Sequence, residues 1–407
     1  MCIRDSFDPA GKLIFEIGSG TGAGGSHRRG KITSSTAPLN EWIHIAIIAT
    51  SITDIKFYFN GVLQPSVNTD GTSGVTSMVH NSNPVNLGRY ATVHRADGFI
   101  GQIDESRLWN ISKTEIEIRQ NMCKKLTGME LGLIGYWKSD ESYTSTTLDD
   151  YSVTNADGVE IGTVNKLTSG APIGDASVLI YTTDYTAVTL TLNSPGGDKL
   201  KVNKIVNTPH GVQVYRVNED PYSETGLNVH TNYYYGVFTA DNAVAAKYNI
   251  SYSYSFSNGV VNVVNEPDAS IFKRADGSIS AWSNLSALLN TTTDVLTKKN
   301  INTRNEYIFN IVAPNESKQS ATIGLENEIY QLKIYPNPVA DKLIIENINP
   351  LLPLMITDVN GKVVMEIINE SEDLAVDIDI SALESGIYFI CQQGNHQIRS
   401  GKFVVQK

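Results

Sequence analysis

Short runs in which apolar and polar residues alternate recur along nearly the whole chain, separated by clusters of Gly, Asn, Asp and Ser. A period of two is the mark of a strand with one buried face, so the pattern predicts an all-β protein. Residues 13–17 and 55–59 are clear strands, and the second runs into Asn60-Gly61, two residues that accept positive φ and so predict a tight hairpin. One helix is expected, over residues 112–122, with Ser112 and Glu115 as a capping box and Ile116 and Ile118 as its apolar stripe.

The same reading continues downstream. Residues 177–181, 187–192, 199–206, 212–217, 233–239, 248–256, 260–264 and 307–312 all have strand character at the spacing of a sandwich. In the clearest of them Tyr248, Ile250, Tyr252, Tyr254 and Phe256 alternate with Asn249, Ser251, Ser253 and Ser255, an aromatic face that fills a core. Residues 278–303 look irregular, a long loop with one short helix. A polar linker follows, and β structure resumes around Leu343 and at the hairpin signal Asn360-Gly361. The expected organisation is three β-sandwiches in tandem: a jelly roll over 1–164, a sandwich of unassigned role over 165–316, a linker over 317–329, and a small Ig-like sandwich over 330–407. A chain of 407 residues is long enough for that number of cores.

Composition narrows the setting. Charged residues make 18 % of the chain, against about 25 % in an average protein, while tyrosine is abundant at 19 residues. That is the balance of a secreted or surface-displayed β protein. The net charge of −11, without any basic block, makes nucleic acid and anionic membrane poor partners. Three widely spaced cysteines write no disulfide framework or metal knuckle. The best apolar run, residues 43–49, falls far short of the roughly 18 residues of a membrane span. The first six residues have no signal-peptide pattern although a strand follows closely, which leads us to expect a longer native reading frame upstream.

Several motifs then occur in a fixed order: Trp42-x-His44-Ile45-Ala46; Ile55-x-Phe57-Tyr58-Phe59-Asn60-Gly61; Asn86-Leu87-Gly88-Arg89; Gly98-Phe99-Ile100-Gly101-Gln102-Ile103-Asp104-Glu105-x-Arg107-Leu108-Trp109-Asn110; and Gly132-Leu133-Ile134-Gly135-Tyr136-Trp137. Together they resemble the laminin-G-like, concanavalin A-like jelly roll. The resemblance implies a two-sheet sandwich that binds glycans or protein surfaces without catalysis. The usual opening strands of that family are absent or replaced here, leaving an incomplete sheet edge. Related jelly rolls often place a calcium ligand near the closing strand, which makes Asp104 the candidate metal residue and calcium the one cofactor to consider.

A second set closes the chain: Tyr335-Pro336-Asn337-Pro338, Asp358-x-x-Gly361-Lys362-x-Val364, Ile380-Ser381-x-Leu383-x-Ser385-Gly386-Ile387-Tyr388, and Lys402-Phe403-Val404-Val405-x-Lys407. These motifs closely resemble the C-terminal sorting domain of the type IX (Por) secretion system. The resemblance implies the secretion machinery as partner, passage across the outer membrane, removal of the domain, and attachment of the mature protein to surface lipopolysaccharide.

Other chemistry is thin. Gly20-x-Gly22-x-x-Gly25 and Gly25-x-x-x-x-Gly30-Lys31 imitate nucleotide loops, but a strand rather than a helix N-terminus follows, and Ile32 stands where Ser or Thr is needed. The seven histidines form no short metal spacing, and His44 is expected to be a packed or edge-facing side chain. No serine occupies a nucleophile elbow. Asp104 and Glu105, adjacent on a strand, would point to opposite faces and cannot serve as a glycosidase pair. Trp42, Trp109 and Trp137 belong to the core, whereas Trp282, in the irregular stretch, is the candidate exposed binding contact. The reading is a secreted or cell-surface, non-catalytic binding or adhesion protein that recognises glycan or glycoprotein. The alternatives are the C-terminal part of a secreted hydrolase, peptidase or polysaccharide-degrading, whose catalytic domain lies upstream, and a structural surface-layer component.

Overall fold

The computed structural model describes residues 3–19, 27–69, 75–77, 84–89, 98–312, 332–346, 348, 353–359, 362–367, 375–393 and 398–407. The Gly20–Gly25 loop, Asn360-Gly361 and the expected linker lie outside the described residues. The structure is all-β apart from one α-helix and short 3-10 turns among those residues. By contacts it divides into two compact units: Met1–Val261 with Asp268–Leu289 and Asp294–Glu316, and Ser317–Lys407 with Asn262–Pro267 and Asn290–Thr293.

The first module opens with an antiparallel sheet of β1 (Ile3–Phe7), β2 (Leu13–Gly18), β3 (Arg28–Thr33) and, further along the chain, Ser66–Asn68. Facing it are β4 (Ile45–Ala49), β5 (Ile55–Phe59) and β6 (Val62–Gln64); Leu13, Phe15, Ile17, Ile55, Phe57 and Phe59 form the core between the two sheets. Asn60 at φ 52° and Gly61 at φ 73° make the β5–β6 hairpin with both central residues left-handed, as the sequence predicts. After Ser66–Asn68 (β7) come β8 (Ser106–Trp109), α1 (Glu115–Met122) and β9 (Leu133–Trp137), with β8 and β9 paired. The helix begins later than expected. Thr114, not Ser112, is the cap, and Glu117 closes the capping box. Of the expected stripe only Ile118 is buried, and Met122 one turn on completes it, while Ile116 faces solvent.

In the second module, β10 (Thr147–Leu148) and β11 (Gly158–Val159) form a small ribbon before the sandwich begins. One sheet has the order β12-β15-β17-β23-β19-β20: Ala176–Ile180, Gly211–Val217, Tyr234–Ala240, Asn305–Ile311, Ala269–Arg274 and Ser283–Asn284, with β16 (Val229–His230) also on β23. The other has the order β13-β14-β18-β22-β21: Thr189–Asn193, Lys199–Val206, Lys247–Ser253, Val295–Ile301 and Leu288–Asn290. Tyr248, Ile250, Tyr252 and Leu296 of one sheet meet Val212, Val214, Tyr235, Val237, Tyr307 and Phe309 of the other. The aromatic alternation therefore fills a core.

Two local expectations change. Residues 260–264 do not form a strand, because the Asn258 carboxamide oxygen accepts from Val260 N and Val261 N, and that of Asn262 accepts from Val264 N and Asn265 N. Such side-chain-closed turns compete with a ladder. Conversely, residues 278–303 contain two short strands, the seven-residue strand Val295–Ile301, and no α-helix.

The break at residues 164–165 is not a break in packing. Strands β15 and β17 are buried on both faces: Val212, Val214, Tyr235 and Val237 point into their own sandwich, while Tyr215, Val217, Phe238 and Ala240 meet Met122 and Cys123 at the end of α1. Arg119 seals the joint. Its Nε donates to Gly61 O at 2.9 Å, its guanidinium lies 4.2 Å from the Tyr181 ring centroid, and Gln213 Nε2 donates to Arg119 O at 3.0 Å.

The C-terminal unit has two sheets. After β24 (Lys333–Tyr335), β25 (Lys342–Glu346), β26 (Leu354–Thr357), β27 (Val363–Ile367), β28 (Ala375–Asp379), β29 (Gly386–Gln393) and β30 (Ile398–Val405), the orders are β24-β25-β28 and β27-β26-β29-β30. Leu343, Ile345, Leu354, Ile356, Ile378, Ile390 and Phe403 form its separate core.

Candidate functional site

Asp104 and Glu105 stand just before β8, with Glu105 held at φ 52°. They are therefore not successive strand residues, and their divergence comes from the left-handed backbone. Asp104 Oδ1 accepts from Glu105 N at 2.8 Å, and Ser169 Oγ donates to Asp104 Oδ2 at 2.5 Å. Glu105 is locked inward: Arg107 Nη2 donates to its Oε2 at 2.5 Å and the Tyr136 hydroxyl at 2.7 Å. Arg107 also donates to Asn121 O and Lys124 O, both at 2.7 Å, tying β8 to the end of α1. Burial pushes the Asp104 carboxyl up to about 6; the Ser169 bond opposes this, and the negative charges of Glu105 and Asp140 add to it. Burial and Glu105 likewise raise Asp140, against Lys125 and Lys138.

This arrangement does not fit calcium. Both Asp104 oxygens are engaged, and among the described residues no group of three or more His, Cys, Asp or Glu side chains could hold a metal ion. The Glu105–Arg107 pair had only its closeness in sequence as a signal, since Glu105 lies outside β8. Ser169, 65 residues from Asp104, had no local signal.

Trp282 is a correction. It is 4 % exposed, so it is not a surface contact. Its ring stands edge-on to Tyr234 with centroids 5.8 Å apart, carries the Arg274 guanidinium at 4.4 Å, and its Nε1 donates to Ser223 O at 2.9 Å. Arg274 is in turn paired with buried Glu306 at 2.6 Å. The three tryptophans expected in the core, Trp42, Trp109 and Trp137, are only partly buried. His44 follows expectation: its Nδ1 is enclosed without a hydrogen-bond partner, and burial, with Arg107 nearby, lowers its pKa to about 3.

In the C-terminal unit three of the four motifs meet. Asn337 Nδ2 donates to Lys402 O at 3.1 Å and its Oδ1 accepts from Val404 N at 2.9 Å, so one carboxamide replaces a strand partner for β30. Pro336 and Pro338, both exposed, flank it, and Val339 continues with backbone bonds to Val404 O and from Gln406 N. Lys407 N donates to Ser385 Oγ at 3.1 Å, and Lys407 Nζ to Ser381 O. Tyr388 stacks on Phe403 at 5.7 Å and donates to Glu384 O. Asp358 Oδ1 accepts from Lys362 N at 3.0 Å, while Gly361 lies outside the described residues. Gly386 leaves ordinary room for a Cβ, whereas Gly401, which the motif reading passed over, lies where a Cβ would stand 2.2 Å from Ile334 Cδ1.

Residues 333–406 match the family model of the secretion system C-terminal sorting domain, and residues 3–119 that of the concanavalin A-like lectin/glucanases superfamily. The chain carries both domains. The sorting domain directs export by type IX secretion, to the cell surface or beyond it. No helix among the described residues is long and apolar enough to cross a membrane. No curated protein matches the chain. Among solved structures, PorZ of Porphyromonas gingivalis, described as an essential bacterial surface component of the type-IX secretion system, is 12 % identical with a TM-score of 0.17. The match covers 99 % of this chain, which spans 59 % of that structure, and similarity at this level says nothing about the fold.

Proposed function

We propose that the exported protein is a non-catalytic adhesion protein that binds a glycan or glycoprotein through its concanavalin A-like domain. The observation that carries this reading is the state of the two carboxylates at β8. A glycosidase needs two free carboxyl groups across the scissile bond, one as acid and one as base or nucleophile. Glu105 is instead consumed by Arg107 and Tyr136, and both oxygens of Asp104 are already engaged by Glu105 N and Ser169, so neither carboxyl is free for that role. The test pairs binding with turnover on immobilised polysaccharides. Retention on a glycan without release of reducing ends supports the reading. Release that survives in the wild type and is lost in Glu105→Gln overturns it.

A further inference from the structure

Three segments meet where the chain crosses from the concanavalin A-like module into the second one. Trp42 comes from the run into β4, Ser169-Gly170 from the connector, and Asp276-Gly277 from the turn between β19 and β20. Their close approach depends on two glycines. A Cβ on Gly277 would stand 2.4 Å from Ser169 O, and one on Gly170 would stand 2.5 Å from Asp276 Oδ1 and 2.7 Å from Trp42 Nε1. Gly170 is buried while Trp42 and Asp276 are half-buried, so the indole N–H and the carboxylate flank a spot where the connector presents bare backbone. Both groups are fixed from behind. Arg304 Nη1 donates to Trp42 O at 3.3 Å and to Glu41 Oε2 at 2.9 Å, and its Nε donates to Thr239 O at 3.0 Å. Asp276 Oδ1 accepts from Ser278 N at 2.9 Å and from Ser278 Oγ.

The Trp42 indole N–H and Asp276 Oδ2 have no hydrogen-bond partner among the described residues, although both side chains border the same point. A donor and an acceptor held side by side yet not joined leave two bonds to be made from outside, and they lie close enough for one hydroxyl group to reach both. Their chemistry selects the visitor. An anionic group would face the Asp276 carboxylate on a chain of net charge −11, and an ammonium group, which only donates, would leave the indole unanswered. A sugar hydroxyl accepts from the indole and donates to the carboxylate. We propose that Trp42 and Asp276 together bind a hydroxyl group of a neutral glycan at the joint of the two modules, so that the second module takes part in recognition. This rests on the glycan-binding reading above.

The experiment uses the whole chain against neutral probes (β-glucan, mannan and N-acetylglucosamine oligomers), with heparin as the anionic counterpart. Trp42→Phe, which keeps a ring but loses the N–H, should weaken binding to the neutral probe about fivefold, and Asp276→Asn, which keeps the acceptor for Ser278, about tenfold or more. A second readout separates contact from a change in folding. Of the four tryptophan indole N–H signals in the nitrogen-15 spectrum of the wild type, the one missing from Trp42→Phe should shift as the neutral oligomer is titrated in. A wild type that binds a neutral probe while that signal stays in place, or while either variant binds equally well, overturns the shared hydroxyl site and leaves glycan recognition standing. Binding to heparin alone does the same. A wild type that retains no glycan overturns both.

Discussion

Replacing Trp282 by alanine distinguishes a buried anchor from the surface contact that its polar sequence surroundings suggest. The side chain is 4 % exposed and touches Tyr234, Arg274 and the Ser223 carbonyl. Large-to-small replacement of a buried aromatic costs about 3–5 kcal/mol, through lost transfer energy and the cavity left behind. The cation–π contact, about 0.5–2 kcal/mol, and the indole hydrogen bond, about 1 kcal/mol, sit within that figure rather than on top of it. An exposed contact residue would cost less than about 0.5 kcal/mol. Urea denaturation followed by near-ultraviolet circular dichroism should show the midpoint falling by about 1–2 M for Trp282→Ala. Trp282→Phe should lose less, about 1–3 kcal/mol, because the bond to Ser223 and part of the ring volume go while an aromatic ring remains against Tyr234 and Arg274. A Trp282→Ala midpoint within about 0.3 M of the wild type would refute the buried arrangement.

The Asp104 carboxyl rises from 3.8 to about 6 on folding, so the folded state prefers it protonated. Its ionisation therefore opposes folding fully above pH 6 and not at all below 3.8, and Asp104→Asn should stabilise at pH 7.5 but be neutral near pH 3.5. The full shift corresponds to about 3 kcal/mol, and partial exposure reduces the expected gain to roughly 1–2 kcal/mol, read from denaturation midpoints at the two pH values. Cys123, buried with its thiol pushed up to about 12, should resist alkylation at pH 8 until denaturant is added; labelling of the native protein at the rate of a free thiol would contradict its burial. In the sorting domain, Asn337→Ala removes both bonds to β30 and should cost about 1–2 kcal/mol and lower export into the medium. Asn337→Asp keeps the acceptor for Val404 N and should recover part of each, and equal behaviour of the two variants would count against the bridging role.

What the sequence made legible is what short-range periodicity encodes. The Tyr248-to-Tyr254 alternation, the Asn60-Gly61 hairpin and the ordered motifs of both recognised domains each depend on residues within a few positions of one another. The helix start was ambiguous for the same reason, since Ser112-x-x-Glu115 and Thr114-x-x-Glu117 overlap, and the choice is set by which turn lets Ile118 and Met122 reach their core. Trp282 and Asp104 were harder because their surroundings come from far along the chain: Trp282 is buried by Tyr234 and Arg274 of neighbouring strands, and Asp104 is held by Ser169.

The joint between the first two modules was hidden by a subtler effect. Strands β15 and β17 read as ordinary core strands, yet their second face is apolar too, with Tyr215, Val217, Phe238 and Ala240. A strand buried on both faces signals that something else covers the sheet, and here it is the C-terminal turn of α1 with Met122 and Cys123. That shared core changes how the unassigned second module should be understood. A module joined by a flexible linker could contribute to recognition only by effective concentration, whereas one that shares a core presents its loops at a fixed distance from those of its neighbour. The same packing that conceals the module boundary thus fixes the loops of the two modules relative to each other.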